Sequence, residues 1–308
     1  MTDQPTPDAA PVAPPLPAPS YLRAPLPHMG AWTQYLLQAE IPVLAATARA
    51  LEELRAKEDD VDANMLTAVI QIDPLMTLKL LSRMASMRRP GGTTETESIT
   101  TALVLMGIGP FFRFFGPQRT VEDWLADQPQ AQQGLHELLI RAERGGQFAL
   151  GFAIHRADTD ATIIHQAAFL HDFAEMLVWI HAPTLMIKIR DAQAVDTTLR
   201  SSIIQREVLG IEISDLRQSL MKLWRLPELL VSISDERHTE RANVQCVVLA
   251  VRLARHTANG WDNAALPDDY TDIAQLLNAS PRVIPSFLHK IDHPILEAAT
   301  LGGRGASG

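Results

Sequence analysis

At residues 171–172 a histidine and an aspartate stand side by side in the apolar run HQAAFLHDFAEM. Imidazole and carboxylate both bind hard or borderline divalent ions, and a bound ion activates water for attack on phosphorus. Two ligands do not make a catalytic centre. At least three must converge, usually from different elements. The neighbourhood offers candidates by count. In a continuous helix His165 and Asp172, seven apart, share a face, His171 and Glu175 form an i,i+4 pair, and His155 lies one segment upstream. The same histidines could equally bond backbone carbonyls or cap helices, so the dipeptide alone decides nothing.

A second group of residues is cationic. LKLLSRMASMRRPGG sets Lys79 and Arg83 at i,i+4 and then Arg88-Arg89 before two glycines. Such a patch suits a phosphate group, a signalling nucleotide or an acidic partner. It also suits a plain solvated face. TAVIQIDPLMTLKLL has the outline of a helix-turn-helix, but Leu75, Met76 and Leu78 stand where a DNA reader carries polar groups. In GPFFRFFG, the rings of Phe111, Phe112, Phe114 and Phe115 cannot all face one core. We expect them to pack between lobes, with any ring left outside forming a contact patch.

The elements that must position these residues read as helices. IPVLAATARALEELRAK repeats apolar residues at Leu44, Ala48, Leu51 and Leu54, a helical stripe. Asp73 before Pro74 is a helix start, as is Ser98 before ITTALVLM, which should stop near Gly107. Further helical runs are EDWLADQ, QGLHELLIRAERGGQFALGFAI, HQAAFLHDFAEMLVWI, DLRQSLMKLWRLPELLVSIS, NVQCVVLAVRLARHT and TDIAQLLN. No segment alternates long enough to make a strand, so the fold class is all-α. Nine of the 21 prolines fall in the first 27 residues, which predicts a disordered Pro/Ala-rich arm over 1–28. LGGRGASG predicts a flexible tail over 301–308.

Composition narrows the function classes. A formal net charge of −9 over 308 residues argues against non-specific nucleic-acid binding, although a local patch at Lys79, Arg83, Arg88 and Arg89 remains a third reading. The single cysteine, Cys246 in VQCVVLAV, forms no internal disulfide and reads as a packing residue. Neither a signal peptide nor an apolar span for a membrane is visible, which fits a cytoplasmic protein.

Several motifs in order resemble the HDOD domain family. Its I-P-x-L-P-like opening is matched by Ile41, Pro42 and Leu44, and its D-P-x-L-x-x-K-L-L helix by Asp73, Pro74, Lys79, Leu80 and Leu81. Met76 and Met106 stand where the family prefers leucine. Its S-I-x-x-A helix is matched by Ser98, Ile99, Ala102, Leu103 and Gly107. AAFLHDFAEMLV resembles the family's A-G-L-L-H-D-I-G segment, and WRLPELLVSISDERH its W-x-L-P tail. The resemblance spans about 38–256. It implies a lobe over 38–118 packed on a lobe over 119–293 that is similar to the HD phosphohydrolases.

In the catalytic superfamily a first histidine, the HD pair and a later aspartate hold the metal. Here the resemblance places Arg144 or Gly145 at the first position and Val251 at the last. An accessory histidine of some relatives falls at about Ile213, and the glycine and lysine that often follow the pair read Ala174 and Glu175. His171 and Asp172 are thus expected to be the remnant of a metal site, with no catalytic residue, metal or cofactor. The resemblance implies a non-enzymatic regulatory module in bacterial signal transduction, with a signalling protein or a signalling nucleotide as its partner. The alternative is a divergent metal-dependent phosphohydrolase acting on nucleotides or cyclic dinucleotides, with His155, His165 or Glu175 as replacement ligands. The oligomeric state is not legible.

Overall fold

Local chemistry explains where most elements begin and end. The structure, a computed structural model, describes residues 19–87 and 98–292. The helices are α1 (Met29–Gln38), α2 (Ala45–Arg55), α3 (Ala63–Ile70), α4 (Pro74–Met87), α5 (Ile99–Met106), α6 (Ile108–Phe115) and α7 (Val121–Trp124). Next come α8 (Pro129–His155), α9 (Ala161–Phe169), α10 (Phe173–His181), α11 (Pro183–Val195) and α12 (Ser201–Leu209). The chain continues through α13 (Ile213–Leu223), α14 (Glu228–Ile233), α15 (Ala242–His256), α16 (Leu266–Leu276) and a helical segment over 284–292. Among the described residues there is no strand, only a parallel bridge between Val43 and Thr120. The fold is all-α, as the periodicity predicts.

Asp73 does more than cap α4. Its carboxylate accepts from Leu75 N and Met76 N at 2.9 and 3.0 Å, and from Leu44 N at 2.8 Å, so it ties the start of α2 to the start of α4. Burial raises its carboxyl above the ordinary value against the pull of these donors and Thr47. Ser98 caps α5 through Thr101 N, and Gly107 ends it at φ 80°, a conformation that favours glycine.

Two apolar cores result, and α4 is the wall between them. Met76, Leu80 and Met84 face the smaller core, with Leu51, Leu66, Ile70 and Leu103. Leu75, Leu78 and Leu81 face the larger, with Trp32 and Leu36 of α1 and the helices from α7 onward. A helix apolar on all sides must be buried. Leu75, Met76 and Leu78 are fully inaccessible, so the helix-turn-helix outline serves packing. Phe111, Phe112 and Phe115 fill the smaller core rather than a gap between lobes, because positions 111, 112 and 115 share one face of α6. Phe114 points outward beneath the Arg83 guanidinium, 3.6 Å from the ring centre.

The loose arm expected through residue 28 is corrected at its end. Residues 19–28 are described, and Tyr21 and Leu22 pack on the larger core. Leu22 N donates to His181 O at 2.7 Å, and Tyr21 Oη donates to Asp127 Oδ1 and contacts Trp124 O. These bonds supply the order that proline-rich composition hides. Residues 1–18, and the tail expected over 301–308, lie outside the described residues.

His181, only 2% exposed, joins these segments: its Nε2 donates to Glu40 O at 2.9 Å, and its ring meets Tyr35 and Trp124 edge-on. Burial lowers its pKa from 6.5 to about 4, against the pull of the Glu40 carbonyl and carboxylate. The unfolded chain therefore takes up this proton first, and stability falls as pH drops from 6.5 towards 4. The drop should be on the order of 3 kcal/mol in urea titrations, and His181→Gln, whose amide still donates, should flatten it. Asp73→Ala strands three backbone donors and should destabilise by about 3 kcal/mol in denaturant titration, with Asp73→Asn losing less.

Candidate functional site

The His-Asp pair lies outside any helix. α9 ends at Phe169 and α10 begins at Phe173, so Leu170, His171 and Asp172 form the turn between them. The single helix expected across this run is broken, and His165 and Asp172 do not share a face. The His171 carbonyl accepts from Arg217 Nη1 of α13 at 3.2 Å, which satisfies a group that a continuous helix would pair internally.

Around the pair lies a cleft of about 340 Å³ whose walls come from α10, α12, α13 and α15. His171 Nδ1 is 2.7 Å from Asp172 Oδ1, and Nε2 is 2.9 Å from Glu236 Oε1. Both ring nitrogens thus face carboxylates. Arg217 Nη2 donates to the same Glu236 oxygen at 2.6 Å. On the other side, Arg141 of α8 donates to Asp172 Oδ2 from Nε and Nη2, at 3.2 and 3.0 Å, and to Glu175 Oε2 at 3.2 Å.

This network sets the charges. Burial alone would raise the Asp172 carboxyl, but Arg141, His171 and Arg255 outweigh it and hold it well below the ordinary range. Glu175 is pushed up, by burial first and by Asp172 beside it, against the pull of Arg141 and Arg255. The hydrogen bond from His171, against the effect of burial, drives Glu236 far below the ordinary range, helped by Arg217. The arrangement is a cluster of carboxylates, from the buried Asp172 to the half-exposed Glu236, paired with guanidinium groups of the chain itself. Among the described residues no three His, Cys, Asp or Glu side chains are placed to hold one metal ion.

The HDOD domain family model matches residues 41–240, well over half of the chain. The chain belongs to the HDOD domain family. Two solved structures share its fold. One is a virulence factor from Campylobacter jejuni subsp. jejuni, 16% identical with a TM-score of 0.56, the match covering 87% of this chain and all of that one. The other is the MmoQ response regulator from Methylococcus capsulatus str. Bath, 16% identical with a TM-score of 0.58, over 82% of this chain and 99% of that one. No curated protein matches the chain at a significant level.

The HDOD fold brings together the positions that the resemblance aligned, without the ligands. Val251 and Ile213 line the same cleft as His171 and Asp172. A Cβ on Gly145 would lie 3.7 Å from Val251 Cγ2, so α8 and α15 pack through small and apolar groups here. Arg144 turns away. Buried, it bonds Asp292 at 2.7 and 2.9 Å and Thr257 O and Oγ1 at 2.9 and 2.7 Å. Two of the replacement ligands are corrected, because their helices point them elsewhere. His165 stacks on Phe169 beside a separate pocket with Gln71 and Glu143, and its pKa is lowered by burial. His155 lies against Phe287. Glu175 does reach the pair, through Arg141.

The cationic patch of the sequence does not assemble from its described members. Lys79 donates to Glu40 Oε1, Ile41 O and Gln118 Oε1 at 2.8, 2.9 and 2.7 Å, which occupies all three of its N–H groups. Arg83 covers Phe114. Arg88 and Arg89 lie outside the described residues. Cys246 is buried, and burial pushes its thiol up to about 12, in keeping with a packing role. No helix among the described residues is long and apolar enough to cross a membrane.

Sequence reading missed Arg141, Arg217, Arg255 and Glu236. A signal existed: Arg141 stands four residues before Gly145, and Arg255 four after Val251, each on the helix face of an aligned ligand position. Arg141→Met should strand Asp172 and Glu175 and lower stability by about 3 kcal/mol in denaturant titration, and adding Asp172→Asn should restore part of it.

Proposed function

We propose that this HDOD domain is a non-enzymatic regulatory module of signal transduction, which acts in the cytoplasm by binding a partner and not by turning over a substrate. One observation carries the reading. The Asp172 oxygen that remains after His171 has engaged the other is taken by Arg141, whose guanidinium also reaches Glu175. A fixed monovalent cation thus stands where a catalytic relative would need a divalent one. It bridges the two carboxylates but offers no Lewis-acid orbital and no ionisable water. The aligned positions Gly145, Val251 and Ile213 supply no donor to change this. That the similarly folded MmoQ protein is a response regulator supports the signalling context.

Such a module needs a surface and a stable scaffold. The ion-paired cleft gives the second by locking α8, α10 and α13 together through side chains instead of a metal. The partner in this reading is a signalling protein, or a signalling nucleotide held in the same cleft.

Metal content tests the proposal. Tag-free protein exposed to excess manganese, iron and zinc and then desalted should carry far less than one ion per chain by elemental mass spectrometry, with His171→Ala indistinguishable from wild type. One or more ions per chain, lost in His171→Ala, would overturn the reading and restore the phosphohydrolase alternative.

A further inference from the structure

The Glu236 carboxylate is held as a mobile anion would be. Its Oε1 accepts from His171 Nε2 and Arg217 Nη2 at 2.9 and 2.6 Å. The holders are buried, at 10% and 5% side-chain exposure, whereas Glu236 keeps 47% and belongs to the three-residue 3-10 turn Glu236–His238. A half-exposed carboxylate returns readily to water, but a buried imidazole and guanidinium cannot be left empty. Without Glu236, Arg217 Nη2 would keep only the long 3.5 Å contact to Ser234 O, so the geometry favours an anion at this point without fixing which one.

The rest of the cleft suits an anion from solution. Arg217, itself 4% exposed, keeps its Nε donor buried and without a partner among the described residues. Arg255 is exposed on the cleft wall and makes no hydrogen bond or ion pair among the described residues. Ser201 opens α12 and Ser214 lies in the first turn of α13, and both line the cleft; the start of α12 has no side-chain cap, whereas Ile213 N at the start of α13 donates to Gln205 Oε1 at 3.0 Å. First-turn N–H groups of this kind receive phosphate oxygens. The other carboxylates of the cleft are engaged by cations of the chain: Arg141 bridges Asp172 and Glu175, Asp172 also meets His171, and Glu212 pairs with Arg206. A volume of about 340 Å³ lies within the range of small-molecule sites.

We propose that the cleft binds a small phosphorylated ligand of nucleotide size, whose phosphoryl group displaces the Glu236 carboxylate from His171 and Arg217 and is completed by Arg255. The proposal rests on the non-catalytic reading, because it leaves Arg141 in place on Asp172. Displacement frees the turn that carries Glu236, which would report occupancy at the surface beside α13.

Isothermal titration of the full chain with guanosine 5′-monophosphate and with inorganic phosphate tests it. Both probes should bind wild-type protein. Glu236→Ala, which removes the internal competitor, should tighten binding by about tenfold. Arg217→Met should abolish it. Arg255→Ala, an exposed change that breaks no hydrogen bond of the buried network, should weaken it several-fold with at most a small shift of the melting curve. Affinities that respond to neither Glu236→Ala nor Arg255→Ala, or no binding at all by Glu236→Ala, would overturn the anion seat while leaving the non-catalytic reading intact. Release of phosphate from the nucleotide during titration would instead overturn the non-catalytic reading and leave the seat standing.

Discussion

Two carboxylates buried side by side need a cation between them, and much of the larger lobe is arranged to deliver one. Asp172 and Glu175 lie on the turn and first helical residues after α9, and the guanidinium that neutralises them arrives from Arg141 of α8. For Arg141 to reach them, α8 must lie close along α10. Gly134 permits this: a Cβ there would come within 2.5 Å of the Trp179 ring. Further along the same helix, Gly145 lets α15 approach through Val251 and Ala254. The neutralised pair and the glycine-lined contacts are one constraint, since moving α8 outward by a methyl group would pull Arg141 from its partners.

Electrostatic substitution of this kind changes what the site can do while preserving how it holds together. A divalent ion organises ligands around itself and activates water, whereas an arginine brings its charge on a stem already anchored in a helix. The Arg141 guanidinium is anchored to α8 and does not exchange with solvent as a bound ion would. What stays exchangeable is an anion, at Glu236, whose carboxylate is the most exposed member of the network.

The legible parts of this protein were those whose cause is local. Asp73, Ser98 and Gly107 act within a few residues of where they stand, so cap chemistry revealed the helices they delimit. The break at His171 was illegible because no glycine or proline marks it, and the bond supporting it comes from Arg217, 46 residues later. Arg141 finds Asp172 across 31 residues and Lys79 finds Glu40 across 39, distances over which spacing says nothing. Lys79 therefore resembled a free cation and proved to be a fastener. The phenylalanine run was half legible: helical phase predicts which rings share a face but not which core that face meets.

The bridge between Val43 and Thr120 has a topological consequence. Val43 N donates to Arg119 O at 2.9 Å and Val121 N to Val43 O at 2.8 Å, so the strands of chain entering and leaving the smaller lobe run side by side. Lys79 reinforces this neck by bonding Ile41 O on one side and Gln118 on the other. The smaller lobe is thus a closed loop drawn shut at its base, and the larger lobe's path would be continuous if the loop were cut out and the neck rejoined. Helix α4 breaks that modularity, because Leu75, Leu78 and Leu81 lend the larger core a wall that excision would remove. The neck fastens the ends of the smaller lobe, and α4 fastens its middle to the larger one.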